Sequence, residues 1–347
     1  MKNKYIPWQV VWELTLKCNL NCLHCGSNAG KPRENELTHE EGIRLIEDLK
    51  KIDAKEVCFM GGEPFLRTDW YDLGKKVRDL DMELLFISNG FCVNQKIIDK
   101  LVTLDPYAVS VSLDGGTAKT HDYIRGRKGS FEKVRKYISM AKAADLPVSV
   151  VTTVSKINYN EMQIIRDYIL ELDHVAWQIQ MAAPEGRFSR EFALSKEEFY
   201  TLGLFISEMQ NKYSKKELPV IGAHCFGYYS NKIPCLGLYP EWRGCQAGIS
   251  ILSIRSNGDV LGCLSTQNYS IEGNVREKSI VDIWNNPESF NYNRKFNKEQ
   301  LGENCKDCEY NLVCKGGCMG MSISFTGKPY NDPYCFKRIE EDEKNKN

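Results

Sequence analysis

The chain has 347 residues, of which 42% are hydrophobic and 27% are charged, a composition typical of a globular protein long enough for two domains. Its 46 basic and 46 acidic side chains balance, so charge gives no reason to expect a nucleic acid or a membrane surface as partner. No run approaches the roughly 20 apolar residues that a membrane-spanning helix needs.

The first 16 residues are basic and then apolar, as in a signal peptide, but Gln9 and Glu13 interrupt the run and no small-residue cleavage site follows. We therefore expect a buried first strand. The chain also has fourteen cysteines, several of them in close groups. Without an export signal, such groups indicate metal ligands in a reducing cytoplasm rather than disulfides.

From residue 7 to about 215, β-branched apolar runs alternate with amphipathic segments typical of helices. The predicted strands are Gln9–Leu16, Glu56–Phe59, Glu83–Ser88, Ala108–Leu113, Val148–Val154 and Val175–Met181. The predicted helices are Thr38–Lys51, Asp69–Asp79, Asn94–Leu104, Ser130–Ala144 and Tyr159–Leu172. Thr38 and Glu41 match the capping box that opens a helix. Trp8, Trp12 and Trp177 are expected in the core.

Six strand–helix units in succession predict a parallel sheet with helices outside it. Six are fewer than the eight of a closed (β/α) barrel, so we expect a partial barrel over residues 1–215, with its chemistry at the carboxyl ends of the strands. Residues 216–244 lose the alternation and are predicted to form a bridge. Residues 245–347 are loop-rich and cysteine-dense, which predicts a small domain stabilised by metal, with a charged tail after Cys335 that is helical or frayed.

Three cysteines follow the first predicted strand in the pattern C-x3-C-x2-C: Cys18, Cys22 and Cys25. Three thiolates on one loop can hold three irons of a cubane cluster and leave the fourth iron open. Zinc is the alternative metal for these cysteines, although a structural zinc ion usually has four ligands that occur as two pairs along the sequence. His24 lies between two of these cysteines and is expected to pack or to form hydrogen bonds rather than to bind metal.

The sequence Gly61-Gly62-Glu63-Pro64 follows the second predicted strand, beside the cysteine loop. The two motifs together resemble the radical S-adenosylmethionine (SAM) superfamily, in which the cysteines hold a [4Fe–4S] cluster and the Gly-Gly-Glu-Pro loop binds the methionine amino group of SAM. The glycines would let the backbone approach the ligand, and Glu63 would accept a hydrogen bond from the amine. The resemblance implies a partial (β/α)6 radical SAM barrel.

Polar residues also end the third and fourth predicted strands, in Ser88-Asn89-Gly90 and Ser112-Leu113-Asp114-Gly115. The resemblance implies that Asn89, Ser112 and Asp114 face the ribose and methionine of SAM, and that Arg125 lies near its carboxylate. The alternative is that these are ordinary loop residues next to a helix cap at Ser130.

A second cysteine array occupies the C-terminal part, with Gly258 between its first two members. Its members are Cys245, Cys263, Cys305, Cys308, Cys314, Cys318 and Cys335. This order resembles the SPASM domain, which holds two auxiliary [4Fe–4S] clusters. The resemblance implies that Cys245, Cys263 and Cys318 bind the nearer cluster and that the other four bind the farther one. Cys235 is the first candidate for a fourth ligand of the nearer cluster and Cys225 the second, and an open site for substrate is the alternative.

Two further cysteines have no place in these arrays. Cys58 lies within a predicted strand and is expected in the core. Cys92 lies in a loop just after the third strand. A hydrogen-atom donor near the radical is the alternative role for either thiol.

The resemblance implies an enzyme with three [4Fe–4S] clusters that cleaves SAM to methionine and a 5′-deoxyadenosyl radical, which then takes a hydrogen atom from the substrate. Such chemistry needs an external one-electron reductant, flavodoxin- or ferredoxin-like. SPASM proteins mostly act on peptides and proteins. The leading prediction is therefore a maturase of a ribosomally made peptide that forms a thioether or carbon–carbon crosslink or another modification.

Only 17 residues precede Cys18, so a separate protein that recognises the leader peptide is one expectation, and direct binding of the leader to this chain is the other. A radical SAM enzyme of a small molecule or tetrapyrrole is the main alternative function. Sulfatase maturation is disfavoured because Leu264 stands where that branch has an aspartate after the cysteine. An electron-transfer iron–sulfur protein without SAM chemistry is the remaining alternative.

Overall fold

A computed structural model of the chain describes residues 5–172 and 175–344, except for the side chains of residues 267 and 268. Its strands are β1 Gln9–Thr15, β2 Glu56–Gly61, β3 Glu83–Ser88, β4 Ala108–Ser112, β5 Val148–Val154, β6 Ala176–Met181, β7 Val220–Gly222, β8 Ile251–Ile254, β9 Asp259–Leu261 and β10 Ile271–Asn274. Its α-helices are α1 His39–Lys51, α2 Trp70–Asp79, α3 Gln95–Leu104, α4 Ala118–Arg125, α5 Ser130–Ala143, α6 Met162–Glu171, α7 Lys196–Lys212, α8 Ile280–Asn285, α9 Asn291–Arg294, α10 Asn311–Cys314, α11 Met319–Thr326 and α12 Phe336–Lys344.

All ten strands belong to one open sheet, in the order β10-β9-β8-β1-β2-β3-β4-β5-β6-β7. Strands β1 to β7 run parallel to their neighbours, as the strand–helix alternation predicts. The predicted α/β fold with a parallel sheet that does not close is therefore confirmed. Thr38 caps α1 with both hydrogen bonds of the expected capping box, and the described part of the tail after Cys335 is the helix α12.

The two faces of the barrel sheet differ in burial. On one face, Trp12, Phe59 and Phe86 are fully buried and meet edge to face, with ring centroids 5.6 Å apart in each pair. In β3 and β6, every second side chain belongs to the other face, and these side chains are less buried than those of the first face. Polar pairs line that face, such as Ser110 and Ser149, whose hydroxyl oxygens lie 2.6 Å apart. The inner surface of the sheet is thus partly open, apolar at Leu85 and Ile87 of β3 and polar between β4 and β6.

Several features differ from the sequence predictions. The helix α4 was not predicted, and β7 lies in the segment predicted to be a bridge, where it extends the sheet beside β6. Trp8, expected in the core, precedes β1 and is 56% exposed. Trp12 and Trp177 are fully buried, as expected.

The C-terminal part shares the barrel sheet. β8 pairs in parallel with β1, and β9 and β10 continue the sheet in antiparallel fashion. Arg276 then binds Glu41 of α1 through two nitrogen–oxygen contacts of 2.6 and 2.7 Å. The domain boundary at residue 245 stays a prediction, and the sheet runs across it. No helix in the described ranges has the length and apolarity to cross a membrane.

Candidate active site

The loop after β1 carries the first three cysteines at the carboxyl edge of the sheet. Each sulfur accepts an N–H hydrogen bond. The donors are Leu20 N (3.5 Å) and Asn89 Nδ2 (3.6 Å) for Cys18, Arg125 Nη1 (3.7 Å) for Cys22 and Ala29 N (3.3 Å) for Cys25. Hydrogen bonds to ligand sulfurs are one of the means by which proteins set the potential of an iron–sulfur cluster.

These thiols are chemically suited to a bound metal. Burial raises the pKa of Cys18 to about 11, and burial also raises the pKa of Cys22 although Arg125 opposes it. Thiolates at these positions therefore need a positive partner such as iron. All fourteen cysteines lie in the described ranges and none forms a disulfide. Among the described residues, no three His, Cys, Asp or Glu side chains converge on a point as the ligands of a single ion do.

The Gly-Gly-Glu-Pro loop is joined to the cysteine loop by backbone hydrogen bonds. Gly62 N donates to Thr15 O (2.8 Å) and Glu63 N donates to Lys17 O (2.9 Å). A Cβ atom at Gly61, whose φ is +133°, would lie 2.4 Å from Thr15 O, and one at Gly62 would lie 2.3 Å from Lys17 O. The described contacts thus require glycine because the two loops touch, whereas the sequence argument attributed the glycines to approach of the ligand.

Glu63 is fully buried and held in one orientation. Its carboxylate accepts hydrogen bonds from Ser88 Oγ (2.9 Å) and from Asn89 N (2.8 Å). Burial raises its pKa to about 7 although these hydrogen bonds act in the opposite direction. Pro64 begins a short 3-10 turn that completes the motif. The carboxylate is thus a fixed acceptor whose negative charge a nearby amine would stabilise.

Asp114 is also fully buried, at the end of β4. Its carboxylate lies 2.5 Å from Arg125 Nη2 and 2.7 Å from His24 Nε2, and it accepts a hydrogen bond from Thr153 N (2.8 Å). Burial alone would raise the pKa of Asp114, but Arg125 and His24 hold it well below its usual range. His24 is thus a hydrogen-bonding residue, as expected, and Asp114 has protein partners on both carboxylate oxygens.

The remaining predicted SAM contacts have different surroundings. Arg125 Nε is buried and has no hydrogen-bond partner among the described residues, so an added acceptor such as a carboxylate would fit there. Asn89 Nδ2 donates to Asn19 Oδ1 (2.8 Å) and thereby braces the cysteine loop. Ser112 ends β4 and is half-buried on the inner face. Whether these side chains contact SAM stays a prediction.

Arg187 is a site residue that the sequence analysis missed. It lies in the loop after β6 and donates through Nε to Cys22 O (3.0 Å) and through Nη1 to Ala29 O (2.9 Å), while its backbone N–H donates to Cys25 O (3.1 Å). The next residue back, Gly186, has a φ of +57°, and a Cβ there would lie 2.2 Å from Cys25 O. The available sequence signal was a glycine followed by an arginine in the loop after β6. Contacts between loops leave no periodic pattern in the sequence, so this signal did not point to the cysteine loop.

Four C-terminal cysteines line one cleft of about 510 Å³, together with Asp332 and Tyr228. They are Cys305, Cys308, Cys314 and Cys335. Burial raises the pKa of Cys305 to about 12 and that of Cys335 to about 11, so these thiols also need a metal to ionise. The structure therefore brings together the four cysteines that the resemblance assigns to the farther cluster.

The three cysteines assigned to the nearer cluster share another environment. Burial, with the added influence of Cys245, raises the pKa of Cys263 to about 11 and that of Cys318 well above its ordinary value. The sulfur of Cys245 also accepts a hydrogen bond from the backbone of Met319, next to Cys318. Their common role as ligands stays a prediction.

The two candidates for a fourth ligand lie in different places. Cys225 Sγ accepts a hydrogen bond from Met181 N (3.3 Å), and its pKa is raised by burial and by Asp332. Asp332 in turn accepts a hydrogen bond from Cys318 N (3.3 Å). The charge of Cys235 instead contributes to the raised pKa of Tyr229. Asp332 also lines the cleft of the farther set, so these contacts do not favour either cysteine, and the order with Cys235 first stays a prediction.

Comparison with known families defines the class. Residues 12–169 match the radical SAM superfamily, and residues 245–309 match the SPASM family, described as an iron–sulfur cluster-binding domain. The chain belongs to the radical SAM superfamily and carries a SPASM domain. It is thus a radical SAM enzyme, and the predicted cofactors, SAM with a [4Fe–4S] cluster and auxiliary iron–sulfur clusters, are confirmed.

The individual relatives include both synthases and a maturase. The chain is 32% identical to the AdoMet-dependent heme synthase of Methanosarcina barkeri, with 96% of this chain and 97% of that protein covered. It is 28% identical to the Fe-coproporphyrin III synthase of the same organism, with 96% and 88% covered. It is 29% identical to the mycofactocin maturase MftC of Mycobacterium ulcerans, with 95% and 88% covered.

Solved structures confirm the fold. Streptococcus suis SuiB bound to its precursor peptide SuiA is 18% identical, has a TM-score of 0.75, and is matched over 96% of this chain and 75% of that chain. The enzyme anSMEcpe with bound AdoMet is 17% identical, has a TM-score of 0.68, and is matched over 97% and 94%. At these identities the likeness concerns the fold alone.

Proposed function

We propose that this protein cleaves SAM reductively at a [4Fe–4S] cluster held by Cys18, Cys22 and Cys25. The bound cluster supplies the electron for the cleavage. The observation that supports this most directly is the junction of two loops, in which Gly62 N and Glu63 N donate to the backbone at the start of the cysteine loop. This junction joins the loop of Glu63 to the cysteine loop, and the charge of Glu63 contributes to the raised pKa of Cys18.

Within this site the side chains have separate tasks. Glu63 accepts a hydrogen bond from the methionine amino group, and Arg125 Nε donates to the methionine carboxylate. Asp114 and His24 orient Arg125 rather than touch SAM. Ser112, at the end of β4 on the inner face, is the candidate contact to the rest of the ligand.

In the SPASM domain the proposed ligand sets follow the grouping of the cysteines. The set for the farther cluster is Cys305, Cys308, Cys314 and Cys335. The set for the nearer cluster is Cys245, Cys263 and Cys318, with Cys235 as the first candidate for a fourth ligand and Cys225 as the second. We place the protein in a reducing cytoplasm, where fourteen unpaired cysteines are compatible with stable folding.

As substrate we propose an iron-bearing tetrapyrrole rather than the peptide favoured by the sequence analysis. The supporting observation is the match to a heme synthase, at 32% identity over nearly the full length of both chains. A second relative, named for the synthesis of Fe-coproporphyrin III, also acts in tetrapyrrole chemistry. The half-buried inner face of the sheet, at the edge that carries the cysteine loop, is the surface on which we place the substrate.

Anaerobic turnover tests this proposal. The reconstituted protein is incubated with dithionite, SAM and Fe-coproporphyrin III, and the products are separated by liquid chromatography with mass detection. We expect 5′-deoxyadenosine together with an iron porphyrin of lower mass, and neither product from a variant with alanine at the first three cysteines. Formation of 5′-deoxyadenosine with unchanged porphyrin would reject the substrate but keep the radical chemistry.

Peptide maturation is the second candidate, supported by the 29% identity to the mycofactocin maturase. Co-expression with a short open reading frame beside the gene, followed by intact-mass analysis, tests it. Loss of two hydrogens would indicate an oxidative crosslink, and an unchanged mass that gains deuterium in heavy water would indicate epimerisation. A separate leader-recognition protein would then be required if the purified pair alone is inactive. Sulfatase maturation remains disfavoured by Leu264.

A further inference from the structure

A basic segment packs directly on the cysteine loop. Arg127 Nη1 donates to Asn19 O (2.6 Å), and Leu23 N donates to Ile124 O (2.8 Å). Gly126, whose φ is +65°, approaches so closely that a Cβ there would lie 2.3 Å from Asn21 O. The chain from residue 126 to residue 136 therefore continues the surface formed by the loop that holds the first cluster.

The charge of this segment is unusual for a chain with equal numbers of acidic and basic residues. It has one acidic side chain, Glu132, and five basic ones: Arg127, Lys128, Lys133, Arg135 and Lys136. Arg135 lies 3.7 Å from Glu132. The other four basic side chains are exposed and form no ion pair with the residues that the structure describes. The surface over the cysteine loop is consequently positive.

An aromatic ring lies among these basic side chains. Phe91 is half-buried, with the Arg127 guanidinium 4.1 Å and Lys133 Nζ 6.0 Å from its ring centroid. Phe91 N donates to Asn89 Oδ1 (2.9 Å), and Asn89 Nδ2 contacts the sulfur of Cys18 at 3.6 Å. Aromatic residues and arginine are enriched at the centres of protein–protein interfaces, and charge at the rim steers association.

We propose that Phe91, Arg127, Lys128 and Lys133, named here the basic surface, dock an acidic one-electron carrier protein. The inference rests on the proposed function, which requires one electron for each SAM cleaved. In each encounter the carrier is oxidised by one electron and the cluster is reduced by one electron, with no proton or group transferred. The route from the carrier is short because Asn89 joins Phe91 to the sulfur of Cys18.

Charge reversal tests the basic surface. Lys128→Glu/Lys133→Glu is compared with Lys278→Glu/Lys298→Glu, which makes the same change at two exposed lysines of the C-terminal part. Bleaching of the cluster absorbance is followed by stopped flow with a purified flavodoxin hydroquinone at low and at moderate salt. The bleaching seen in Cys18→Ala/Cys22→Ala/Cys25→Ala, which keeps only the auxiliary clusters, is subtracted so that the rate refers to the first cluster. We expect about a tenfold or larger loss of the second-order rate constant at low salt, a shallower salt dependence, and no change in the control. Reduction by dithionite should be equal in all proteins.

Two results would overturn the inference. One is a wild-type rate with flavodoxin in the Lys128→Glu/Lys133→Glu protein. The other is an unchanged flavodoxin rate with weakened binding of peptide or porphyrin, which would make the surface part of substrate docking. Failure of wild-type protein to cleave SAM with dithionite would instead reject the proposed function. That result is distinguishable because cluster bleaching is measured without SAM.

Discussion

The barrel and the C-terminal part both hold groups of cysteines, but they support them differently. The loop of Cys18, Cys22 and Cys25 follows a strand packed in a continuous apolar core that runs through the sheet and its helices. In the C-terminal part, cysteines are themselves members of small apolar groups, such as Cys314 with Tyr228 and Trp242. The first cluster is therefore carried by a scaffold that forms without it, whereas the auxiliary clusters replace part of the core of theirs.

Removing the first three thiols should have the largest effect on chemistry. In Cys18→Ala/Cys22→Ala/Cys25→Ala we expect SAM cleavage below detection, since no ligand for the first cluster remains, with auxiliary-cluster iron retained. The melting temperature should change by only a few degrees because the barrel core is intact. Measurement of 5′-deoxyadenosine, iron content and thermal unfolding checks each part. Retained SAM cleavage would contradict the assignment of this site. A large loss of stability would show that the barrel also depends on its cluster, as we expect of the C-terminal part.

Removing two thiols of the farther set should have the largest effect on folding. In Cys305→Ala/Cys308→Ala we expect loss of about one cluster of iron and roughly 4 kcal/mol or more of stability, as for other losses of structural metal. Cys58→Ala is the matched control, because Cys58 is buried in β2 and belongs to no proposed ligand set. Iron analysis and thermal unfolding decide the outcome. Unchanged iron and melting temperature in the double variant would show that the cleft holds no structural cluster.

A smaller effect is expected when Glu63 is replaced, because this substitution should change only the binding of SAM in the barrel. Glu63→Gln should weaken SAM binding by about 10- to 100-fold, the equivalent of one charge-assisted hydrogen bond. Glu56→Gln, at the opposite end of the same strand, should leave binding unchanged. Because the pKa of Glu63 is raised to about 7, affinity should fall as the pH falls through that value and the carboxylate takes up a proton. Calorimetric titration with SAM at several pH values measures both effects.

The smallest effect is expected where the two regions meet. Arg276→Met should cost about 0.5–1 kcal/mol by removing its ion pair with Glu41, against little for Arg243→Met, whose pair with Glu241 is more exposed. The hydrogen bond from Arg276 lowers the pKa of Glu41 to about 2 from an ordinary value of 4.5. The part of this difference that comes from Glu41 should therefore be complete above pH 4.5 and be lost as the pH falls toward 2, while the part from the hydrogen bonds of Arg276 to Asn35 O and Glu36 O should stay. Denaturant unfolding across this range provides the measurement.

Local patterns predicted the barrel well. The bounds of β3 and β5 agree to the residue with the sequence prediction, since alternation and β-branching are local signals. The strand β8 could not be found in this way, because it is four residues long and pairs with β1 about 240 residues away. The approach of Arg187 to the cysteine loop is likewise a contact between loops that leaves no periodic trace.

The candidate site was predictable where spacing carries the chemistry. The four cysteines that line the farther cleft were expected to lie together because their order follows a known array, and their role as ligands stays a prediction. The environment of Asp114 was not expected, because its partners His24, Arg125 and Thr153 come from three separate segments.

The pairing of β8 with β1 has a consequence for synthesis of the chain. During translation the first strand emerges about 240 residues before its outer neighbour, which at ~5–20 residues per second is roughly 10–50 s. Throughout that interval β1 is an unprotected edge immediately followed by Cys18. A newly made chain therefore exposes its first thiols and an open strand together, and the edge of β1 is open to pairing with another chain until β8 has been made.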